Sequence, residues 1–107
     1  MAFRVELTDK AEADVESVLV WFHQQQAGKA GGRWFAQLME KLETLENRPE
    51  RCPRAVESQD IGEDIRELLF GRERYKYRIL FKISDTTIII LRVWHSSRDA
   101  ITRHDLP

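Results

Sequence analysis

The stretch RVWHSSRD, residues 92 to 99, carries three side chains that could do chemistry at the end of an apolar strand. His95 supplies an imidazole, a group that titrates near physiological pH and can transfer protons. Arg98 supplies a permanent cation and Asp99 a carboxylate. Two interpretations stay open. Either the strand holds a polar site, or it simply ends there, with His95 bonded to the backbone or to Asp99 and with a local ion pair between Arg98 and Asp99.

Metal chemistry is disfavoured by the spacing of the candidate ligands. His95, His104 and Asp105 form no repeating pattern of the kind that zinc sites show. The single cysteine, Cys52, cannot form an internal disulfide and has no CxxC partner, which is typical of a reducing compartment and excludes a thiolate zinc cluster. We therefore expect no metal and no other cofactor.

Length and composition predict one domain over residues 1 to 107. The chain of 107 residues is long enough for one core and too short for two, and its 33% charged and 42% hydrophobic residues are typical of a globular protein. The N-terminus lacks the apolar segment of a secretory signal, and no apolar run approaches the roughly 20 residues that a bilayer requires. We therefore expect a cytoplasmic protein with no membrane partner.

Charge is unevenly distributed along the chain. Residues 1 to 65 hold 8 Lys/Arg and 13 Asp/Glu, a net charge of -5, whereas residues 66 to 107 hold 9 and 5, a net charge of +4. This asymmetry favours an anionic partner for the C-terminal part, or two oppositely charged surfaces with different partners. Ordinary scatter of surface charge is the alternative.

The N-terminal half predicts a short strand followed by a helix. Phe3, Val5 and Leu7 alternate with polar residues, as in a strand with one buried face. Thr8 and Asp9 then offer N-cap oxygens. They precede apolar residues at helical intervals, namely Ala11, Val15, Val18, Leu19 and Phe22.

A second helix follows and predicts a helical hairpin. We expect the first helix to end near QQQAGKAGG, residues 24 to 32, because Gly28, Gly31 and Gly32 are poor helix formers. The second helix ends before Pro49. Its predicted apolar stripe consists of Phe35, Leu38, Leu42 and Leu45. Two helices joined by a short turn are expected to pack antiparallel.

The C-terminal half predicts three antiparallel strands after a loop over residues 49 to 63. The strands are IRELLF (65 to 70), YKYRILFKI (75 to 83) and TIIILRVWH (87 to 95), separated by GRER and SDT, both short enough for hairpins. The last strand is apolar on both faces up to residue 91, which favours a central position in the sheet.

The middle strand predicts one apolar and one basic face. Alternation places one set of side chains toward the helices, namely Tyr75, Tyr77, Ile79, Phe81 and Ile83. It places Lys76, Arg78 and Lys82 on the other face together with Leu80. The predicted fold class is α+β, a helical hairpin packed on a small, mainly antiparallel sheet in the order β-α-α-β-β-β.

Three segments together resemble the RelE/ParE superfamily of type II toxins, and the ParE-like (plasmid stabilisation) branch in particular. They are LTDKAEADVESVLVWF near the start, IRELLFGRERYKYRILFKI in the middle and IIILRVWHSSRD near the end. The resemblance implies a small bacterial toxin that a cognate antitoxin neutralises. Members of the superfamily act in two ways: RelE-like toxins cut messenger RNA on the ribosome, and ParE-like toxins inhibit DNA gyrase. The fold alone does not decide between them.

RNA cleavage without a metal needs a proton-transfer group and cations that stabilise the charged phosphorane. If the chain is such a ribonuclease, the catalytic candidates are His95 for proton transfer and Arg66, Arg78 and Arg98 for the cations. RNA-cleaving relatives commonly carry an aromatic residue, usually Tyr, after the last strand, but this chain has no Tyr after Tyr77. Strict alternation places His95 on one face with Leu91 and Val93, whereas the strand register that relates it to Arg78 stays open.

The end of the last strand favours the ParE-like interpretation, because Val-x-His followed by small residues and Arg-Asp is typical of that branch. The expected function is therefore a non-enzymatic inhibitor of DNA gyrase. The first alternative is a ribosome-dependent mRNA endonuclease. The second is an inactive relative that binds its antitoxin and reaches operator DNA only through it, as a co-repressor.

The partner-binding candidates are apolar residues of the hairpin and cations of the sheet. An open sheet edge or a groove beside the helices could accept an extended or helical segment of the antitoxin. The residues expected to be exposed for this purpose are Val20, Trp21, Leu38 and Leu42, and the basic face adds Lys76 and Lys82. The alternative is that the apolar residues only fill the core.

Overall fold

The computed structural model describes residues 2–71 and 76–107. Its strands and α-helices, in chain order, are β1 (Arg4–Leu7), α1 (Asp9–Gln24), α2 (Gly28–Glu43), α3 (Ser58–Ile61), β2 (Arg66–Phe70), β3 (Tyr77–Ser84) and β4 (Thr87–His95). Short 3-10 turns lie at Thr44–Glu46, Pro49–Arg51 and Arg103–Asp105. The predicted α+β class and the order β-α-α-β-β-β are confirmed, with α3 as one extra turn inside the predicted loop.

The four strands form one mixed sheet in the order β1-β4-β3-β2. β1 pairs parallel with β4, while the β4–β3 and β3–β2 pairs are antiparallel. The prediction of a central last strand is confirmed, because β4 lies between β1 and β3. Its bounds are those that the sequence predicts.

A β-bulge interrupts the pairing of β3 with β4. Leu80 lies opposite Arg92 and Phe81 lies opposite Ile90, so Leu91 is an extra residue on β4. The bulge changes the alternation at this point, and the prediction that Leu91 shares a face with His95 is wrong.

The two faces of the sheet are covered by different parts of the chain. The helix face carries Tyr77, Ile79 and Phe81 and packs on α1 and α2, with Ala11 and Leu38 among its buried contacts. The tail face carries other buried residues of β3 and β4, namely Leu80, Leu91 and Trp94. They pack on Ala55, Ile61 and Ile65 of the connecting segment and on Ile101 and Leu106 of the C-terminal tail.

The covered tail face contradicts the prediction of a free basic face on β3. Alternation along β3 is as predicted from residue 77 onward, but the loop and the tail bury Leu80 completely. The sequence gives no periodic pattern in either segment from which this packing could be foreseen. Residues 72 to 75 lie outside the described residues. They comprise the predicted GRER turn after Gly71 and the first residue of the predicted strand, Tyr75.

The helical hairpin turns within the predicted stretch QQQAGKAGG, at its N-terminal end. α1 ends at Gln24 and α2 already begins at Gly28, and Gln26 takes a left-handed conformation with φ of 56° in the turn. Gly31 lies inside α2, where a Cβ atom would come within 2.9 Å of the Cβ of Phe22. Gly31 is therefore needed for the close crossing of the two helices and not for the turn.

The start of α1 follows the prediction. Thr8 is its N-cap, and the threonine hydroxyl oxygen accepts a hydrogen bond from the Ala11 backbone N–H at 3.2 Å. This bond satisfies one of the free N–H groups of the first turn. The same hydroxyl donates to the carbonyl of Ile90 at 2.9 Å, so the cap also ties α1 to β4.

Candidate functional site

A tight turn at the end of β4 fixes the ring of His95. The Arg98 N–H donates to the His95 carbonyl at 3.0 Å, and the Ser97 backbone N–H donates to Nδ1 of the His95 ring at 3.1 Å. The ring stands edge-on to Tyr77, with 5.0 Å between the centroids. Because a backbone N–H can only donate, Nδ1 acts as an acceptor here and the ring proton belongs on Nε2.

Arg98 and Asp99 do not form the local ion pair that the sequence allows. In the described residues no salt bridge joins the two side chains. The guanidinium carbon of Arg98 instead lies 4.0 Å from the centroid of the Trp94 ring, within cation–π distance. The backbone carbonyl of Asp99 accepts a hydrogen bond from Nε1 of Trp94 at 2.9 Å.

Arg78 is the most tightly bound of the candidate cations. Its two terminal nitrogens donate to the carboxylate of Glu57 at 2.7 and 2.6 Å, and its Nε donates to Glu67 at 2.5 Å. The Arg78 side chain is 14% exposed and that of Glu57 is 7% exposed. All three guanidinium nitrogens of Arg78 thus donate to carboxylates, whose negative charges neutralise the cation that a phosphate would need.

The electrostatics of this cluster follow from those bonds. Hydrogen bonding from Arg78 lowers the pKa of Glu57 to about 2, although burial acts in the opposite direction. The pKa of Arg78 is raised above its usual value, chiefly by the hydrogen bonds to Glu57. Glu57 also accepts a hydrogen bond from the Ile101 backbone N–H at 3.2 Å, so the carboxylate fastens the C-terminal tail to the sheet.

Arg66 is also committed to contacts inside the chain. Its NH1 donates to the backbone carbonyls of Glu50 at 3.0 Å and Cys52 at 2.7 Å. In the sheet, Arg66 of β2 lies opposite Phe81 and His95 of β4 lies opposite Tyr77. These two positions on β3 are four residues apart, so Arg66 and His95 are separated by about 13 Å along the strand.

The four ribonuclease candidates therefore do not converge on one site. His95 lies beside Tyr77 on the helix face, whereas Arg78 and the guanidinium of Arg98 lie on the tail face with Trp94. The structure brings Arg78 and Arg98 to the same side of the sheet and leaves His95 on the other.

Of the predicted basic face, only the ends of β3 remain accessible. Lys76 is half-buried and its carbonyl accepts a hydrogen bond from Ser96 at 3.0 Å. The ammonium nitrogen of Lys82 lies 3.7 Å from a carboxylate oxygen of Glu63, with each side chain 39% exposed. An exposed pair of this kind contributes about 0 to 1 kcal/mol and leaves the lysine free to exchange partners.

The predicted partner-binding residues divide into two groups. Val20 and Trp21 are each 46% exposed, as predicted. The prediction that Leu38 and Leu42 are exposed is wrong, because they are 0% and 4% exposed and belong to the core between α2 and the sheet. Their helical spacing marked the buried stripe of α2 correctly, but periodicity does not tell which side of a hairpin faces the sheet.

Trp21 borders a groove in which His95 also lies. This Trp21 groove, of about 310 Å³, is lined by Ser17, Val18, Trp21, Tyr77 and His95. Most of its surface is apolar, so it offers α1 and the end of β4 as one continuous contact surface.

Two acidic residues with important contacts were not foreseen from the sequence. Asp14 accepts hydrogen bonds from Arg92 at 2.7 and 2.6 Å and from the Val93 backbone N–H at 2.9 Å, at the edge of β4 that β1 does not reach. Hydrogen bonding to Asp14 raises the pKa of Arg92. Glu57 lies in a loop in which the sequence shows no periodic pattern. Of the two carboxylates bound to Arg78, only that of Glu67 could have been proposed as a partner, by assuming the register in which Glu67 lies opposite Leu80.

Within the described ranges, 2–71 and 76–107, no group of three or more His, Cys, Asp and Glu side chains is arranged to hold a metal ion. No helix in this part of the chain is long and apolar enough to cross a membrane. Burial raises the pKa of the Cys52 thiol, which is the opposite of what a reactive cysteine requires.

The fold defines the class of protein: an α+β domain with a helical hairpin packed on one face of a four-stranded mixed sheet. A family model described as the ParE toxin of the type II toxin-antitoxin system parDE matches residues 5–100. The chain belongs to this ParE toxin family.

One solved structure with the same fold is described as the chromosomal ParDE TA system from P. aeruginosa. The superposition has a TM-score of 0.68 and covers 88% of this chain and 96% of the other, at 19% sequence identity. At this identity the likeness shows the fold alone. Among curated protein sequences, none matches the chain significantly.

Proposed function

We propose that this chain is a toxin that inhibits DNA gyrase and that a cognate antitoxin neutralises it. The membership of the ParE family supports this proposal, since gyrase inhibition is what the ParE-like branch implies. The observation that carries the choice is the separation of His95 from Arg78, whose side chains leave the sheet on opposite faces.

The same observation weakens the alternative of an mRNA endonuclease. A general base and the cations that stabilise a phosphorane must reach the same phosphate, within about 3 Å of the reacting atoms. His95 cannot share a phosphate with Arg78, because the two side chains leave the sheet in opposite directions and Arg78 is held by Glu57 and Glu67.

An antitoxin is the proposed partner of the exposed apolar surface around Val20 and Trp21. These two residues lie on α1, and Trp21 lines the Trp21 groove together with Tyr77 and His95. Large aromatic side chains that are half exposed beside a groove are common anchors of protein interfaces. Lys82 remains a candidate contact at the other end of β3.

Induction of the chain in a bacterial host tests the proposal. The expected result is filamentous cells, an SOS response and arrested growth, with transcripts uncut. Co-expression of the product of the adjacent gene is expected to restore growth. The purified chain is expected to trap gyrase-cleaved DNA in a supercoiling assay with purified gyrase.

Three results would contradict the proposal in different ways. Ribosome-dependent cuts in messenger RNA that His95→Ala abolishes, with normal plasmid supercoiling, would identify an endonuclease. Normal growth without the adjacent gene product would favour a co-repressor that reaches operator DNA only through its antitoxin. A well-folded chain that is indifferent to that product would count against an antitoxin.

A further inference from the structure

Four cationic residues lie at the end of the tail face where β3 begins and β4 ends, namely Lys76, Arg78, Arg92 and Arg98. The guanidinium groups of Arg78 and Arg92 are hydrogen-bonded to carboxylates at 2.7 Å or less. In the part of the chain that the structure describes, Lys76 and Arg98 form no ion pair. We call Lys76 and Arg98 the end patch, because they are the two of these four cations that no carboxylate neutralises.

Trp94 holds the guanidinium of Arg98 in place. The guanidinium carbon lies 4.0 Å from the centroid of the Trp94 ring. The ring itself is fixed by burial and by the hydrogen bond that its Nε1 donates to the Asp99 carbonyl at 2.9 Å. An arginine stacked on an aromatic face keeps the N–H groups in the plane of its guanidinium available, and Arg98 is exposed. Since the stack already orders this side chain, less conformational entropy is lost when it binds an anion.

Lys76 lies beside the same tryptophan. The Ser96 backbone N–H donates to the Lys76 carbonyl at 3.0 Å, which extends the pairing of β3 with β4 by one residue. Alternation along the strand then places Lys76 on the tail face with Arg78. Lys76 is a diagonal neighbour of Trp94, and such neighbours lie about 7 to 8 Å apart. The two cations of the end patch can therefore reach the same stretch of an anionic polymer.

Phosphates of a DNA backbone fit the end patch better than carboxylates of a protein do. Duplex DNA carries one negative charge per about 1.7 Å of its axis, so two neighbouring cations meet phosphates in many registers. A protein surface would have to present two carboxylates at a matched spacing. Ser96 adds an exposed hydroxyl opposite Lys76, and serine hydroxyls commonly contact phosphate oxygens.

We propose that Lys76 and Arg98 bind phosphates of the DNA backbone, and that they do so on the cleaved DNA that gyrase holds. This inference rests on the proposed function, because gyrase is what brings the DNA to the toxin. Two phosphate contacts supply little affinity by themselves, and the whole chain has a net charge of -1. The contact therefore matters most where gyrase raises the local concentration of DNA. Because phosphates carry no sequence information, the end patch adds no preference for a DNA sequence.

The test is an NMR titration of the isotope-labelled chain with a short DNA duplex, repeated at several low salt concentrations. The resonances expected to move are those of the Trp94 indole N–H and of the backbone N–H groups of Ser96 and Arg98. The logarithm of the affinity is expected to fall with the logarithm of the salt concentration, with a slope of about -0.9 for each phosphate contact. Arg98→Gln and Lys76→Gln are each expected to make this slope shallower by about 0.9.

Arg33→Gln is the matched control for Arg98→Gln. Arg33 is an exposed arginine of α2, which packs on the helix face, and its replacement makes the same change in net charge. The salt slope of this variant is expected to equal that of the unmodified chain.

Asp99→Asn tests the inference in the opposite direction. It removes the exposed carboxylate next to Arg98 and keeps the backbone carbonyl that binds Trp94. Loss of a repulsive surface charge is expected to tighten binding of the duplex by about twofold to fivefold at low salt. A damaged fold would not produce such a gain.

The variants are then compared in the cleavage assay with purified gyrase. Lys76→Gln/Arg98→Gln is expected to trap less cleaved DNA than Arg33→Gln at the same concentration. Its binding to gyrase in the absence of DNA is expected to be unchanged, because the end patch contacts the DNA and not the enzyme.

Four results would overturn the inference. They are a duplex titration without shifts at low salt, equal salt slopes for Arg98→Gln and Arg33→Gln, tighter binding of an RNA duplex than of a DNA duplex of the same length, and loss of gyrase binding without DNA in the double variant. The last result would assign the end patch to carboxylates of gyrase.

Failure of the inference is distinguishable from failure of the proposed function. Normal trapping of cleaved DNA by Lys76→Gln/Arg98→Gln would remove the phosphate contact and leave gyrase inhibition intact. Salt-dependent binding of the duplex through Arg98, in a chain that leaves gyrase unaffected, would support the end patch and contradict the proposed function.

Discussion

His95 and Arg78 lie on opposite faces of the sheet although their strands are hydrogen-bonded neighbours. Tyr77 lies opposite His95, Arg78 lies opposite Trp94, and successive residues of a strand point in opposite directions. No rotamer change can bring the two side chains together, because the register of the strands sets their directions. A ribonuclease built on this pair would require a different register.

The ion pair of Arg78 with Glu57 is expected to be a major contribution to stability. Glu57→Ala leaves a mostly buried guanidinium with one carboxylate and removes the acceptor of the Ile101 N–H. Removing one partner of a buried pair typically lowers the free energy of unfolding by about 3 to 5 kcal/mol. Urea denaturation followed by circular dichroism measures this change.

Glu63→Ala is the control for that experiment. Glu63 also faces a cation, Lys82, but at 3.7 Å and with 39% of each side chain exposed. Its loss is expected to cost no more than about 1 kcal/mol. Equal effects of the two substitutions would show that the cluster around Arg78 is not an important source of stability.

Stability is expected to fall in acid through the titration of Glu57. The pKa of its carboxyl is about 2 in the folded chain, against an ordinary value of 4.5. A carboxyl with a depressed pKa binds more protons in the unfolded state, so its contribution is complete above about pH 4.5 and is lost as the pH falls toward 2. The loss is on the order of 3 kcal/mol.

Chemical denaturation at several pH values between 6 and about 2 measures this dependence. Glu57→Gln removes the titrating group and is expected to be less stable at neutral pH but to lose less stability on acidification. A curve for Glu57→Gln parallel to that of the unmodified chain would assign the acid sensitivity to other carboxyls, of which Asp105 also has a lowered pKa through its hydrogen bonds with Thr102.

Periodicity predicted most of the helix face of the fold, with the exception of Phe35 on the α2 stripe, which is 39% exposed. The apolar stripes of α1 and α2 and the alternation of β3 from Tyr77 onward reflect burial against one continuous core. The bounds of β4 follow instead from its continuous apolar run after the short SDT turn. The Leu91 bulge could not be foreseen, because a strand that is apolar on both faces contains no alternation in which a shift would show.

The tail face was beyond the reach of the sequence for a different reason. Its cover comes from Ile101, Leu106 and the segment around Ala55, which lie in stretches without regular structure. Arg78 meets Glu57 across 21 positions of sequence and through a loop, so no local pattern joins them. The sequence therefore predicts that Arg78 is available to a partner, whereas in the structure its guanidinium is hydrogen-bonded to Glu57.

The crossing of the two helices is expected to be sensitive at Gly31 and tolerant at Gly32. A Cβ at Gly31 would come within 2.9 Å of the Phe22 Cβ, so Gly31→Ala must push the helices apart. Overpacking of this kind costs about 1 to 3 kcal/mol. At Gly32 a Cβ meets nothing within 4 Å, and Gly32→Ala is expected to stabilise the chain by up to about 1 kcal/mol through helix propensity.

Thermal unfolding of the two alanine variants measures the difference, and each variant serves as the control of the other because the chemical change is the same. A Gly31→Ala variant as stable as Gly32→Ala would mean that the hairpin can open by a few tenths of an ångström without loss of core contacts.

Trp21 and Leu38 are expected to separate binding from folding. Both are large apolar residues of the hairpin, but Trp21 is 46% exposed beside the Trp21 groove, whereas Leu38 is completely buried. Leu38→Ala is expected to lower the free energy of unfolding by about 2 to 5 kcal/mol through the cavity that it leaves. Trp21→Ala is expected to cost less stability and to weaken binding of the antitoxin by about tenfold or more, as loss of an interface aromatic does.

Denaturation curves and titrations of the two variants with the purified antitoxin distinguish these roles, with binding measured at a temperature where both are folded. Strong binding by Trp21→Ala would remove α1 around Val20 from the proposed interface. A normal unfolding midpoint for Leu38→Ala would contradict the packing of α2 against the helix face, because a side chain with no exposed surface cannot be truncated there without losing contacts with the core.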